Sequence, residues 1–195
     1  MSVLVEMREE AQVNSGDMTQ GEREELQALG FLTASGRLSP SLDSVGFLSK
    51  PSVEREAIVA PSVLNEAYDY GSAFSRGLRV PMGEHTLLFI SGTASVDEAG
   101  ATVHPGDLRA QCWRTYRNIT ELLQSEGATW HDIVKCTCYL RDIERDYDAF
   151  NSVRNTFFSW LGLNPLPASV GIQARLCRSD LLVEIEALAV IKNGS

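Results

Sequence analysis

Positive charge is scarce in this chain: 17 lysines and arginines stand against 26 aspartates and glutamates, for a net charge of −9. Nucleic-acid backbones and anionic membrane surfaces both reward lysine and arginine, so neither is expected as a partner. Long hydrophobic runs are also missing. None approaches the roughly 20 apolar residues that a membrane-crossing helix needs. The opening MSVLVEMREEAQ brings acids too early for a secretory signal. These absences predict a soluble protein of the cytoplasm. Histidine is rare, with three residues at His85, His104 and His131, and the four cysteines are Cys112, Cys136, Cys138 and Cys177. Cys136 and Cys138 point the same way if they lie in a strand, but no histidine completes a ligand spacing beside them. The reading is therefore of no metal and no cofactor, with thiols that stay free in a reducing compartment.

What the chain does have is apolar content for one core, 44% hydrophobic residues over 195 positions, enough to fold without disulfide staples. Residues 1–60 read as an N-terminal extension. TQGEREELQALGF forms a short helix there, with Thr19 as N-cap, Glu22 as its capping-box partner and Gly30 past its end. The stretch after it is punctuated by serine, glycine and proline and keeps no period. Residues 61–195 read as the main domain. FSRGLRV and TLLFISGTASV are β-prone runs around the turn chemistry of VPMGEH. DLRAQCWRTYRNITELLQSEG then follows the helical period through Leu108, Cys112, Ile119 and Leu122, with Asp107 as cap and Gly127 as stop. The strand DIVKCTCYLRD and a second amphipathic helix in DYDAFNSVRNTFFSWLG come next. The expected fold is α/β in the broad sense (α+β), a mixed sheet with two helices packed on one face. The opposite face then calls for an oligomer partner as cover.

The chain closes on ARLCRSDLLVEIEALAVI, an apolar run with Glu184 and Glu186 at its centre. A buried carboxylate is costly unless it is paired, hydrogen-bonded or protonated, so two in one strand need a reason. Residues 169–177 and 180–191 read as a hairpin around Arg178 and Ser179, which sets Gln173 opposite Glu184. Period two assigns Val183, Ile185, Ala187, Ala189 and Ile191 to the core. Leu182, Glu184, Glu186 and Leu188 take the other face, together with Ser169, Gly171, Gln173, Arg175 and Cys177. Such a face is either wet surface or the wall of a pocket.

Those residues, together with LLFISGTAS, HPGDLRAQCWRTYRNITELL, KCTCYLRD and the placing of YGSAFSRGL, resemble the Rid (YjgF) superfamily over roughly residues 65 to 192. The resemblance implies a chorismate-mutase-like fold and a homotrimer whose sheets form a barrel, with active sites in the clefts between subunits. In the imine deaminases of that family, an arginine fifteen positions before the first glutamate of the EIE motif grips the substrate carboxylate. Here that count gives Ser169, which has no charge, and Phe74 replaces the tyrosine of the substrate loop. SGTAS, FSR after YG, GDLRAQ and the spacing of Cys177 to Glu184 look more like the catalytic half of the chorismatases, a branch of the same fold. That likeness implies hydrolysis of a carboxylated enol ether such as chorismate.

Enol-ether hydrolysis starts by protonating a methylene carbon, and one carboxyl group serves this step and water activation if it rests protonated. Glu184 is the candidate catalytic residue. Arg76, Arg175 and Arg141 are candidates to hold the carboxylates of a small metabolite, and Tyr70 to donate a hydrogen bond. Gly92 permits close approach to the backbone. Phe74, Gln173 and Cys177 complete the candidate lining. Two other readings use the same residues: imine or enamine deamination of the Rid type, and a trimer that binds a metabolite without turning it over.

Overall fold

The computed structural model of the chain describes residues 18–35, 53–62, 64–65 and 72–193. The chain divides into two units, Met1–Ser52 and Val53–Ser195. The first contains helix α1, Gln20–Ala28, capped as its sequence requires. Thr19 Oγ1 accepts from the Glu22 amide at 3.2 Å, and a Glu22 carboxylate oxygen accepts from the Thr19 amide at 2.7 Å, so two orphan donors of the first turn are satisfied reciprocally.

The second unit is built on a six-stranded mixed sheet. Its strands are β1 (Glu56–Ile58), β2 (Gly77–Met82), β3 (His85–Ala94), β4 (Ile133–Leu140), β5 (Ala168–Gln173) and β6 (Val183–Lys192), in the spatial order β1-β2-β3-β6-β4-β5. β2 and β3 form a hairpin that turns at Gly83, whose φ of 63° lies where L side chains are strained. Helix α2 (Leu108–Ser125) starts at Asp107, whose side chain accepts from the Ala110 amide, and helix α3 (Ile143–Leu161) starts at Asp142 in the same manner. The apolar stripe read from the sequence of α2 is buried throughout. Trp113, Tyr116, Trp130, Phe157 and Phe158 join the two helices in one aromatic cluster, with Tyr116 and Phe157 stacked at 4.6 Å.

β6 is the central strand and shows the expected alternation. Val183, Ile185, Ala187 and Ala189 are buried under the helices, while Leu182, Glu184, Glu186 and Leu188 are only half-buried on the other side. Ile185 is 1% exposed. Its replacement by alanine is expected to cost about 2–5 kcal/mol of stability, read as a lower urea midpoint at unchanged slope.

The structure corrects the last hairpin. β5 pairs with β4 in parallel, Cys136 opposite Ser169 and Leu140 opposite Gln173, and does not pair with β6. Both edges of β6 are already occupied, by β3 on one side and β4 on the other, so no edge remains for β5. The helix between β4 and β5 also makes the return parallel, because a strand, helix, strand crossover brings the chain back in the same direction. Ser169, Gly171 and Gln173 consequently face α3 and not Glu184. Ser169 Oγ lies 3.9 Å from Cys138 Sγ and accepts from Arg154 at 3.4 Å. A Cβ placed on Gly171 would touch the Tyr147 ring at 3.6 Å, and Gln173 Oε1 accepts from the Ile143 amide at 3.1 Å.

Opposite the helices the sheet is open, with Phe89, Val170 and Ile172 among its exposed apolar side chains. Among the described residues, no helix is long and apolar enough to cross a membrane. Cys112, Cys136 and Cys138 are buried and free, and Cys177 is exposed. Burial pushes the Cys112 and Cys136 thiols up to about 12, so both remain protonated packing groups.

Candidate active site

The site begins with an irregularity in β3. Its register against β6 shifts between Ile90 and Thr93, leaving Ser91 and Gly92 as a bulge in the ladder. The bulge is held on its outer side by β2 and the residues before it. The Ser91 amide donates to the Arg76 carbonyl at 3.0 Å, and Ser91 Oγ donates to the Ser75 carbonyl at 2.7 Å. Across from it, β6 places Glu184 opposite Ala94, so the Glu184 side chain lies over Gly92. A Cβ at Gly92 would stand 2.0 Å from Glu184 Oε1. Only glycine leaves that space for a carboxylate. Glu184 is half-buried, and its carboxyl is raised above the ordinary carboxylate range, first by burial and then by the charge of Glu186 on the same face.

Two cavities meet at this carboxylate. The inner one, about 120 Å³, has Phe74, Arg76, Ala94, Val96, Cys177 and Leu181 around Gly92 and Glu184. The outer one, about 250 Å³, is lined by Gly92, Tyr139, Arg175, Cys177, Glu184 and Glu186 together with Ala174 and Leu176. The structure thus brings together six of the residues singled out in the sequence: Glu184, Gly92, Cys177, Phe74, Arg76 and Arg175. Arg76 is 6% exposed; its Nε donates to the Asn65 carbonyl at 2.8 Å and Nη2 to Asn65 Oδ1 at 3.1 Å. Its guanidinium lies 5.4 Å from the centre of the Phe74 ring, which makes it a fixed wall of the inner cavity.

Two candidates are not brought there. Arg141 donates from Nε to the Leu181 carbonyl and from Nη2 to the Arg178 carbonyl, so its charge secures the connection before β6. Gln173 faces α3, as described above. Tyr70 lies outside the described residues.

The connection 174–182 is held from a second side by a residue that sequence reasoning missed. Gln111 on α2 is fully buried; its Nε2 donates to the carbonyls of His104 and Asp180, at 3.0 and 2.8 Å, and its Oε1 accepts from the Leu182 amide at 2.8 Å. A buried polar side chain inside an apolar helical stripe was the available signal. Tyr139 was missed as well. It pairs with Glu184 across β4 and β6, and knowing its face required knowing that pairing. Among the described residues, no group of three or more histidine, cysteine, aspartate or glutamate side chains is arranged to hold a metal ion.

A mixed sheet covered on one face by two helices, with a half-buried glutamate over a glycine bulge, defines an α+β domain with a carboxylate-centred cleft. Residues 70–191 match the family model described as Endoribonuclease L-PSP, and the chain belongs to that family, the Rid (YjgF) superfamily. It is 31% identical over 103 residues to a RutC family protein of Pyrococcus abyssi, covering 53% of this chain and 77% of that one. It is 29% identical over 103 residues to the 2-iminobutanoate/2-iminopropanoate deaminase of Mus musculus, covering 53% of this chain and 73% of the relative. The fold is shared with the YjgF gene product of E. coli, at a TM-score of 0.58 and 24% identity over 70% of this chain and 99% of that structure.

Proposed function

We propose that the chain hydrolyses a small imine, or the enamine in equilibrium with it, and releases ammonia, with Glu184 as the group that activates water. The observation that carries this reading is the seating of the Glu184 carboxylate over Gly92, at the junction of two cavities and partly withdrawn from solvent. The imine nitrogen takes up a proton from solvent, and Glu184 takes a proton from water as the water oxygen bonds to the imine carbon. Glu184 then returns its proton to the carbinolamine nitrogen; the C–N bond breaks, ammonia leaves, and the carbonyl forms as the hydroxyl proton passes back to solvent. Phe74, Arg76 and Leu181 shape the inner cavity for the substrate's side chain, and Cys177 fills wall space beside both cavities. Among the described residues no histidine lines either cavity beside it to make it a nucleophile. The open sheet face and the site's exposure on that side fit a homotrimer with clefts between subunits, to be tested by light scattering.

The relatives carry deaminase and RutC names, which favour this chemistry over enol-ether hydrolysis. One observation keeps the latter as a second reading: a carboxyl raised by burial is also what protonation of a vinyl ether requires. The deciding experiment offers the pure protein 2-iminopropanoate, generated in place by an amino-acid oxidase, and separately chorismate. Ammonia released faster than the uncatalysed rate supports deamination. Pyruvate released from chorismate without ammonia from the imine replaces it with the second reading, and neither product leaves a binding protein.

The pH dependence is fixed by the same geometry. A base must be ionised, so kcat/KM rises as pH climbs through the raised Glu184 value. Glu186→Gln removes the neighbouring charge, and the acidic limb of the profile is expected to move to lower pH; an unmoved limb would separate Glu184 from the rate.

A further inference from the structure

The strand pairing that carries the site is short on one side. β3 and β6 run in register as far as Ile90, the bulge at Ser91 and Gly92 interrupts the ladder, and beyond it stand two rungs, Thr93 opposite Ile185 and Ala94 opposite Glu184. A bulge disrupts the ladder around it, so two rungs alone hold the carboxylate loosely. Just outside the last rung, one side chain joins the two strands.

Gln111 on α2 is 0% exposed. Toward β6, its Nε2 donates to the Asp180 carbonyl and its Oε1 accepts from the Leu182 amide, both at 2.8 Å. Leu182 lies next but one to Glu184. Toward β3, Nε2 donates to the His104 carbonyl at 3.0 Å. That turn is itself bound to the strand end: the Val103 amide donates to the Ser95 carbonyl at 2.9 Å, and Ser95 Oγ donates to the Val103 carbonyl at 2.8 Å. Ser95 directly follows Ala94. His104 has a φ of 59°, in the left-handed region that a residue with a side chain keeps only where its surroundings fix it. A primary amide supplies two donors and an acceptor from one group, which is what these three bonds require. Between them, Cys177 and Leu181 on the same connection stand as cavity wall.

We propose that Gln111 is a positioning residue for the site: by tying the end of β3 and the start of β6 to α2, it keeps Glu184 seated over Gly92 and the connection 174–182 in place as wall. What Glu184 does to a substrate rests on the deaminase reading; the positioning does not.

The test compares Gln111→Met and Gln111→Glu in the full chain. Methionine fills the space without a bond, whereas glutamate keeps the shape and the bond from Leu182 but loses donation to at least one carbonyl. Trp130→Phe is the control, because it removes a buried hydrogen bond to Thr120 of 2.8 Å elsewhere on α2. Native-state hydrogen exchange of the Leu182 amide is expected to rise about tenfold or more in both Gln111 variants, with exchange inside α3 unchanged. The ¹³C titration midpoint of the Glu184 carboxyl is expected to fall toward the ordinary glutamate value as the group gains water. The kcat for 2-iminopropanoate is expected to drop about tenfold or more while KM changes little. Trp130→Phe lowers the urea midpoint yet leaves all three readings at wild-type values.

Folded Gln111 variants with wild-type Leu182 exchange, a wild-type Glu184 midpoint or full kcat overturn the proposal, as do changes that Trp130→Phe reproduces. Failure of both Gln111 variants to fold also overturns it, because Gln111 then serves stability alone. Faster Leu182 exchange and a lowered Glu184 midpoint, in a protein whose wild type releases no ammonia, leave the proposal standing and remove the deaminase reading alone.

Discussion

Glu184→Gln is expected to lower ammonia release from 2-iminopropanoate by about 10²–10⁴-fold, the contribution of a positioned acid-base group, with the fold retained. Glutamine keeps the shape and one hydrogen-bonding oxygen over Gly92 but takes no proton from water at neutral pH. The effect on stability separates this loss from unfolding. The folded-state value of Glu184 is raised, so between the ordinary carboxylate value and the raised one the native chain binds more protons than the unfolded chain. The stability due to this group is therefore complete below the unfolded value and declines as pH rises through that window. At neutral pH the native carboxylate is a burden that glutamine removes. The variant should be as stable as the wild type, or slightly more so, when urea unfolding is followed at pH 7. An inactive variant with a lowered midpoint would mean that Glu184 is structural.

The second large effect is expected at a residue without a side chain. Gly92→Ala places a methyl group 2.0 Å from Glu184 Oε1 and 3.0 Å from its carboxyl carbon. What must yield is the far end of a flexible side chain, so the carboxylate rotates away and the strand stays in place. Displacement of a reacting group by about 1 Å costs on the order of 10² in rate. The backbone at Gly92 is not in the left-handed region, and alanine there restricts the unfolded chain, so stability changes by less than about 1 kcal/mol. Steady-state kinetics and urea unfolding of this one variant check both halves. Full activity would show that the position of the carboxylate over the bulge does not matter.

The helices and the faces of the central strand were legible in the sequence because period and caps are local properties. Asp107 and Gly127 bound α2, Thr19 and Glu22 start α1, and the alternation along β6 separates Ile185 from Glu184 without reference to any other strand. Strand pairing is not local. Alternation fixes which way a side chain points but not which strand lies beside it, so β5 read as a hairpin partner of β6 when both edges of β6 were taken. The error moved Ser169 and Gln173 to the wrong face, and the missing antiparallel register of β4 on β6 hid Tyr139 opposite Glu184. Strand β1, three residues in a serine- and proline-punctuated stretch, is too short to carry a period at all. Arg141 shows a further limit: composition marks an arginine as a possible anion ligand, but only the fold shows it spent on the Leu181 and Arg178 carbonyls. Arg175 and Cys177 line the cavities beside Glu184 despite the wrong pairing because both lie on the connection that precedes β6.

The central claim concerns the protonation of one side chain. It is measured by following the side-chain carboxyl carbon of Glu184 in a ¹³C NMR pH titration of the wild type, assigned with Glu184→Gln. The account predicts a midpoint above the ordinary glutamate value, falling when Glu186 is replaced by glutamine and matching the acidic limb of kcat/KM. A midpoint at the ordinary value, indifferent to Glu186, would contradict it.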